Sequence, residues 1–126
     1  MKVLIPILSM KEGEFPFLEK ATQGCKEAIL VFAVDKGGMA GKFGFASADI
    51  SRANKLMESI AKTLKDRKIV CDYVMEWGDT AQKIDHLAKL KKVDKIVVQQ
   101  QFNEYWKQKI AELEKALEGK IRIEIV

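Results

Sequence analysis

The segment GGMAGKFG, residues 37–44, holds half of the eight glycines of the chain and places Lys42 directly behind one of them. Glycines let a backbone approach an anion closely, and a lysine side chain can reach a phosphate group. This combination makes the segment a candidate phosphate-binding loop.

The spacing of these glycines does not match either of the common phosphate-binding motifs. A P-loop needs Gly-x4-Gly-Lys-[Ser/Thr], but Lys36 stands five positions before Gly41, and Phe43 follows Lys42. The dinucleotide motif fails because no two of these glycines are separated by a single residue. We therefore interpret residues 37–47 as a loop, with a lid over a ligand as the alternative.

No other residues form a recognisable catalytic or metal-binding pattern. Ser9 lacks an arranged histidine and acid that would activate it as a nucleophile. The single histidine, His86, is expected to face solvent. Cys25 and Cys71 are far apart and have no metal-ligand spacing. We expect no catalytic residues, no bound metal and no enzymatic activity.

Charge and hydropathy argue against two further classes of protein. The net charge is +4, and charges of both signs are interspersed, which favours a solvated surface over a nucleic-acid-binding face. No apolar run approaches the roughly 20 residues of a transmembrane helix. The first residues are interpreted as a strand rather than a leader, so we expect a single domain, 1–126, in the cytoplasm.

Short apolar runs predict the strands of a sheet. Three of them are nearly continuous, as in parallel strands that are buried on both faces. The last run alternates, as in an edge strand with Ile121, Ile123 and Ile125 facing inward. The runs cover residues 2–8, 28–34, 69–75, 95–99 and 120–126.

Apolar residues at three- and four-residue steps predict helices at 49–66, 80–91 and 103–118, and a short helix fits after the first strand. Strands and helices therefore alternate along the chain. This order predicts an α/β fold, a doubly wound five-stranded parallel sheet with helices on both faces.

Individual side chains can be assigned to these helices. Asp79 is placed to cap the helix at 80–91, whose apolar stripe includes Leu90. The stripe of the last helix contains Phe102 and Trp106, which are expected in the core. Tyr105 lies off that stripe, where it is free to line a ligand site.

Segment 70–99 resembles the universal stress proteins. In that family the third strand ends near a glycine, a helix with spaced Ile and Ala follows, and Asp-x-Ile-Val opens the fourth strand. The matching residues here are Gly78, Ala81, Ile84, Ala88, Asp94, Ile96 and Val97. The segments KVLIPIL and LVFAVD resemble the first two strands of the family. The resemblance implies an adenine-nucleotide alpha-hydrolase-like fold with strand order 3-2-1-4-5.

Two features of the nucleotide-binding members of that family are missing. Those members carry Gly-x2-Gly-x9-Gly-[Ser/Thr] after the fourth strand and an aspartate shortly after the proline of the first. Here no glycine follows Gln100 before Gly119, and Leu8 stands at the position of the aspartate. We therefore expect no cofactor and no typical ATP binding.

The predicted fold also locates a ligand site. Ligands of doubly wound sheets bind outside the carboxyl ends of the strands, where the strand order reverses. With the order 3-2-1-4-5, this crevice lies between the first and fourth strands. We expect it to be small, lined by amides and nearly uncharged. Its candidate residues are Ser9, Lys42, Gln99, Gln100, Gln101 and Tyr105.

The C-terminal strand is the predicted interface of a homodimer. The edge of a sheet offers unpaired backbone groups to a second copy. Opposite charges on the strand can face each other across a two-fold axis. Self-association is also what the family resemblance implies. The interface residues are Ile121, Arg122, Ile123, Glu124 and Ile125.

Three functions remain open from the sequence. The first is a non-enzymatic homodimer that acts through an unidentified protein partner or by sensing a small molecule. The alternative is a universal stress protein that binds ATP or AMP through atypical contacts from Ser9, Lys42 and Gln99–Gln101. The third is an unrelated doubly wound enzyme or cofactor carrier. No nucleic-acid or membrane partner is expected.

Overall fold

The computed structural model describes residues 1–34 and 47–126, and the predicted glycine loop with Lys42 lies outside them. The described residues form five strands and four helices that alternate along the chain. The elements are β1 (Lys2–Pro6), α1 (Phe15–Ala21), β2 (Glu27–Val34), α2 (Ser47–Asp66), β3 (Val70–Trp77), α3 (Thr80–Leu90), β4 (Lys95–Val98), α4 (Glu104–Leu117) and β5 (Arg122–Ile125).

The strands form one parallel sheet in the order β3-β2-β1-β4-β5. The central strand, β1, pairs with β2 from Lys2↔Glu27 to Pro6↔Val31 and with β4 on its other side. The predicted fold class and strand order are confirmed. The chain passes from β1 to β2 on one side and later from β3 to β4 on the other side of β1. The strand order therefore reverses between β1 and β4, and a crevice opens between the loops that follow these two strands.

Successive side chains of the inner strands pack into two apolar layers on opposite faces of the sheet. Val3 and Ile5 belong to the layer under α1 and α2, whereas Leu4 belongs to the layer under α3 and α4. All three are fully buried. Burial on both faces explains why the first, second and fourth apolar runs are nearly continuous in the sequence.

Helix α2 and the start of α3 agree with the sequence pattern. The α2 stripe of Ala53, Met57, Ile60 and Leu64 is buried. The Asp79 carboxylate accepts a hydrogen bond from the Gln82 N–H at 3.0 Å, which confirms the predicted cap of α3.

Two residues that the sequence predicted for the core are exposed, Phe102 by 81% and Leu90 by 62%. Asn103 caps α4, with its side-chain oxygen 2.8 Å from the Trp106 nitrogen. The helix therefore begins after Phe102, and helical spacing does not apply to that ring. Leu90 is the last residue of α3, and the buried stripe of this helix ends at Ala88.

The last strand, β5, is an edge strand, as predicted, but its apolar face is only partly covered. Ile121 and Ile123 are half-buried against the layer under α3 and α4. Ile125 lies on the same face of the strand but is 43% exposed, so this face is left partly open at its end. Among the described residues the strand has a neighbour on one side only, and less of the fold covers its far end.

We predict that Trp106→Ala lowers the free energy of unfolding by about 3–5 kcal/mol, as large-to-small core changes do. Trp106 is 5% exposed, and its indole N–H has no hydrogen-bond partner among the described residues, so the loss is one of packing. The matched control is Phe102→Ala, which should change stability by less than about 0.5 kcal/mol. Urea unfolding of both variants is the measurement. Equal losses in the two variants would contradict the assigned positions.

Candidate functional site

Two loops border the crevice at the carboxyl ends of β1 and β4. Residues 7–14 join β1 to α1, and residues 99–103 join β4 to α4. The first loop extends the pairing of β1 with β2 by one residue, since the Ile7 N–H donates to the Val31 carbonyl at 2.8 Å. Leu8 is buried, and the polar lining of the crevice begins at Ser9 and Gln99.

The crevice contains a buried carboxyl group, that of Glu12, which is only 1% exposed. Its Oε2 accepts hydrogen bonds from the backbone nitrogens of Leu8 and Ser9, both at 2.9 Å. Its Oε1 is buried and has no hydrogen-bond partner among the described residues. The crevice thus holds, among its amides, an acidic side chain that was not expected from the sequence.

A turn at Met10 brings Glu12 back to the end of β1. Met10 has a φ of 68°, in the left-handed region that residues with a side chain rarely adopt. This conformation costs about 1–2 kcal/mol, which the contacts of the loop must offset. One such contact is the hydrogen bond from the Lys11 N–H to Ser9 Oγ at 3.1 Å.

The Gln99 side chain connects the two loops. Its Oε1 lies 2.8 Å from Ser9 Oγ, and its Nε2 donates to the Lys11 carbonyl at 3.2 Å and to Glu14 Oε1 at 2.9 Å. Gln101 Nε2 donates to the same Gln99 oxygen at 3.2 Å. The structure thus brings Ser9, Gln99 and Gln101 together in one hydrogen-bonded network.

The hydrogen atoms of this network can be counted. Ser9 Oγ lies 3.0 Å from Glu12 Oε2 and 2.8 Å from Gln99 Oε1. The orientation of the Gln99 amide is set by the two acceptors on its Nε2 side, so an oxygen faces Ser9. The hydroxyl has a single hydrogen for two oxygens. It therefore donates to one of them, while Glu12 Oε2 remains the acceptor of the Leu8 and Ser9 N–H groups.

Burial raises the pKa of the Glu12 carboxyl. Removal from water raises the pKa of this carboxyl above its ordinary value of 4.5, and this effect outweighs the hydrogen bonds from Leu8 and Ser9, which lower it. The buried carboxyl therefore holds its proton more tightly than an exposed glutamate does.

The remaining predicted site residues lie apart from this network or beyond the described residues. Gln100 is exposed, and its Nε2 donates to the Gln101 carbonyl at 2.9 Å. The Tyr105 hydroxyl lies 2.8 Å from Thr80 Oγ1, which ties α4 to the start of α3. Lys42 is outside the described residues.

A small cavity of about 320 Å³ adjoins the network. Its polar lining comes from Glu14, Lys20 and Gln99, with Val126 from the end of the chain. Ligand pockets usually measure about 300–1,000 Å³. This cavity therefore suits a small polar molecule better than a nucleoside triphosphate.

Sequence reasoning missed Glu12 because it examined the position of the family aspartate, which Leu8 occupies. The available signal was an acidic residue four positions later, directly before Gly13. At Gly13 a Cβ atom would lie 2.9 Å from Leu56 Cδ1, so the loop passes close to α2 and turns Glu12 toward the crevice. Because this short loop packs against α2, the Glu12 side chain is buried.

The described residues also bear on catalytic and metal-binding chemistry. The hydroxyl of Ser9 contacts Glu12 and Gln99, and His86 is exposed on α3. No group of three or more His, Cys, Asp or Glu within residues 1–34 and 47–126 is arranged to hold a metal ion. No described helix combines the length and the apolar character that a bilayer crossing needs.

The sequence matches no model of a known protein family and no curated protein. The structure, however, is similar to a universal stress protein from Archaeoglobus fulgidus, with a TM-score of 0.72 at 12% identity, over 99% of this chain and 92% of the other. It is also similar to a universal stress protein in complex with cAMP, with a TM-score of 0.64 at 14% identity, over 100% and 95% of the two chains. The chain therefore has the universal stress protein fold.

The same fold occurs inside a different kind of protein. An archaeal photolyase from Sulfolobus tokodaii is similar to 99% of this chain, with a TM-score of 0.69 at 15% identity, but only 29% of the photolyase is covered. A shared fold does not by itself assign a function. The function therefore depends on the side chains that line the crevice.

We predict that the stability of the wild type falls, relative to Glu12→Gln, as the pH rises from about 5 to about 8. The folded protein binds the Glu12 proton more tightly than the unfolded chain does. Stability from this group is therefore complete below the unfolded pKa, near 4.5, and is lost as the pH rises through the folded pKa. Urea unfolding of both proteins across this range is the measurement. A difference that is constant or that changes in the opposite direction would show that Glu12 is ionised in the fold.

Proposed function

We propose that this chain is a universal-stress-protein-like domain that works in the cytoplasm as a non-enzymatic homodimer without typical ATP binding, by sensing a small molecule or contacting a protein partner. The observation that supports this proposal most is that the crevice is already occupied by a side chain of the protein itself, Glu12. Glu12 already takes the N–H groups of Leu8 and Ser9. Converging backbone N–H groups are what hold anions in sites of this kind.

The surroundings of Glu12 also disfavour a triphosphate. Glu14 places a second acidic side chain in the network, on Gln99 Nε2. The segment after β4 has no glycine between Gln100 and Gly119, so side chains take the place of a close-approaching phosphate loop. The adjoining cavity of about 320 Å³ leaves room for a small polar ligand.

A second candidate function is the binding of ATP or AMP through atypical contacts. It is favoured by the similarity to a universal stress protein in complex with cAMP. In this chain the contacts would come from Ser9 and Gln99–Gln101, with Lys42 as a further cation. Glu12 would have to release the N–H groups of Leu8 and Ser9 before a phosphate could use them.

We predict that Mg-ATP binds with a dissociation constant weaker than millimolar, because the donors at the end of β1 are occupied and acidic groups surround them. Titration calorimetry near neutral pH is the measurement, with AMP titrated in parallel to test the second candidate. A micromolar dissociation constant, about 8 kcal/mol of binding free energy, for either nucleotide would contradict the proposal.

The proposed dimer interface is the open edge of β5. The Val126 N–H donates to the Val98 carbonyl at 3.0 Å, and the Val126 carbonyl accepts from the Gln100 N–H at 3.0 Å, so both groups point toward β4. Backbone N–H and C=O groups point alternately to the two sides of a strand. The N–H and C=O groups of Ile123 and Ile125 therefore point outward, away from β4. These groups are available to a second copy of the chain.

Charge on this strand is balanced within the protomer. Glu124 Oε2 lies 3.2 Å from the nearly buried Lys95 ammonium and 3.4 Å from the Arg122 guanidinium. Pairing across a two-fold axis is therefore not needed to neutralise the strand. Backbone hydrogen bonds and the half-exposed Ile125 would contribute more than charge pairing to the stability of a dimer through this edge.

We predict that Ile123→Pro converts the dimer to monomer, because proline removes an outward N–H without breaking the ladder to β4. The matched control is Ile123→Ala, which shortens the side chain but keeps the N–H and should remain dimeric. Sedimentation equilibrium of the wild type and both variants is the measurement. A monomeric wild type, or a proline variant that stays fully dimeric, would exclude β5 as the interface.

A further inference from the structure

The other edge of the sheet, β3, carries exposed apolar side chains. Val70 is 63% exposed, Tyr73 39% and Trp77 62%. The strand pairs with β2 on one side, and within the described residues no strand lies on its other side. An open edge with large apolar side chains is unusual in a monomer and marks a site of association.

A groove of about 640 Å³ lies between this edge and α2. Its floor is apolar and is formed by Ala61 of α2, by Ile69 before the strand, and by Val70, Cys71 and Tyr73 of β3. Because the groove runs beside the open edge, a chain that enters it can reach both the apolar floor and the unpaired backbone groups of β3.

The rim of the groove is cationic. It carries Lys62 and Lys65 of α2 and Lys68 of the following turn, against the single acidic residue Glu58, so three positive charges oppose one negative charge. All three lysines are exposed, and none of them forms an ion pair with a described residue. The groove therefore presents unpaired positive charge around an apolar floor.

We propose that this groove binds an extended segment of a partner protein whose side chains on the face toward α2 include both apolar and acidic residues. The segment adds to β3 as an edge strand, which is a common mode of peptide recognition. Its apolar side chains pack on Ile69 and Tyr73, and its carboxylates pair with the lysines of the rim. This rests on the proposed function in one respect, since it gives a site and a chemistry for the protein partner. The groove nevertheless lies at the opposite edge of the sheet from β5 and away from the Glu12 crevice, so its tests are independent of both.

Charge selects this occupant over a second copy of the chain. A two-fold dimer through β3 would bring the lysine rims of the two protomers close together, and like charges in an interface are unfavourable. An acidic segment instead neutralises the rim.

The first test uses a fluorescent peptide of about seven residues, Val-Thr-Glu-Thr-Val-Thr-Glu, a typical strand length, whose valines and glutamates all point to one face of the strand. Fluorescence anisotropy should show saturable binding that weakens as salt is added. The control peptide has lysine in place of each glutamate and should not bind. No saturable binding of the acidic peptide, or equal binding of both peptides, would overturn the proposal.

The second test asks whether the lysines of the rim provide the attraction for the acidic peptide. The double variant Lys62→Glu with Lys65→Glu should weaken binding of the acidic peptide by about tenfold or more. The matched control is Lys55→Glu, an exposed lysine of the same helix that lies outside the groove, and it should leave the affinity within about twofold. Equal effects of the two charge changes would indicate general attraction to a basic protein and overturn the proposed site.

The third test locates the peptide on the fold. Hydrogen exchange should show new protection of the β3 amides, residues 70–77, when the peptide is bound. Protection at β5 or at residues 7–14 would place the peptide elsewhere. Self-association that is lost in Tyr73→Glu would show that a second copy fills the groove, which also overturns the proposal.

Discussion

The fold depends on how the backbone groups at the carboxyl end of its central strand are satisfied. β1 is covered on both faces, so the N–H groups of Leu8 and Ser9 emerge where water has little access. A buried N–H without a partner costs about 1–3 kcal/mol. Glu12 supplies the acceptor for both from within the same loop. This solution requires the left-handed turn at Met10 and the burial of a carboxyl group.

Closure of the crevice from within has consequences for what can bind there. Gln99 joins the β1 loop to β4 through Ser9, Lys11 and Glu14, so polar groups that could meet a ligand are already used inside the protein. Proteins with the same fold include a universal stress protein in complex with cAMP and part of a photolyase. The shared arrangement of the sheet therefore does not determine what binds in the crevice, which depends on the side chains at the end of β1 and after β4.

The alternation of strands and helices was predictable because it follows from periodicity, whereas the strand order was implied by the family resemblance. Strands buried on both faces must be apolar throughout, and Trp106 follows from helical spacing. The same rule was wrong for Phe102, because the Asn103 cap begins the helix one residue later. Glu12 was not predictable by these means. Its burial depends on a turn at Met10 and on the proximity of two loops that are 90 positions apart at Ser9 and Gln99.

Mass spectrometry of the purified protein under non-denaturing conditions tests the internal occupation of the crevice most directly. If Glu12 holds the donors at the end of β1, the protein is released from cells without a nucleotide. The spectrum should then show a dimer whose mass equals two chains of 14.3 kDa, with nothing bound. A dimer or monomer that retains ATP, AMP or another nucleotide would contradict this, and would show that Leu8 and Ser9 offer their N–H groups to a phosphate after all.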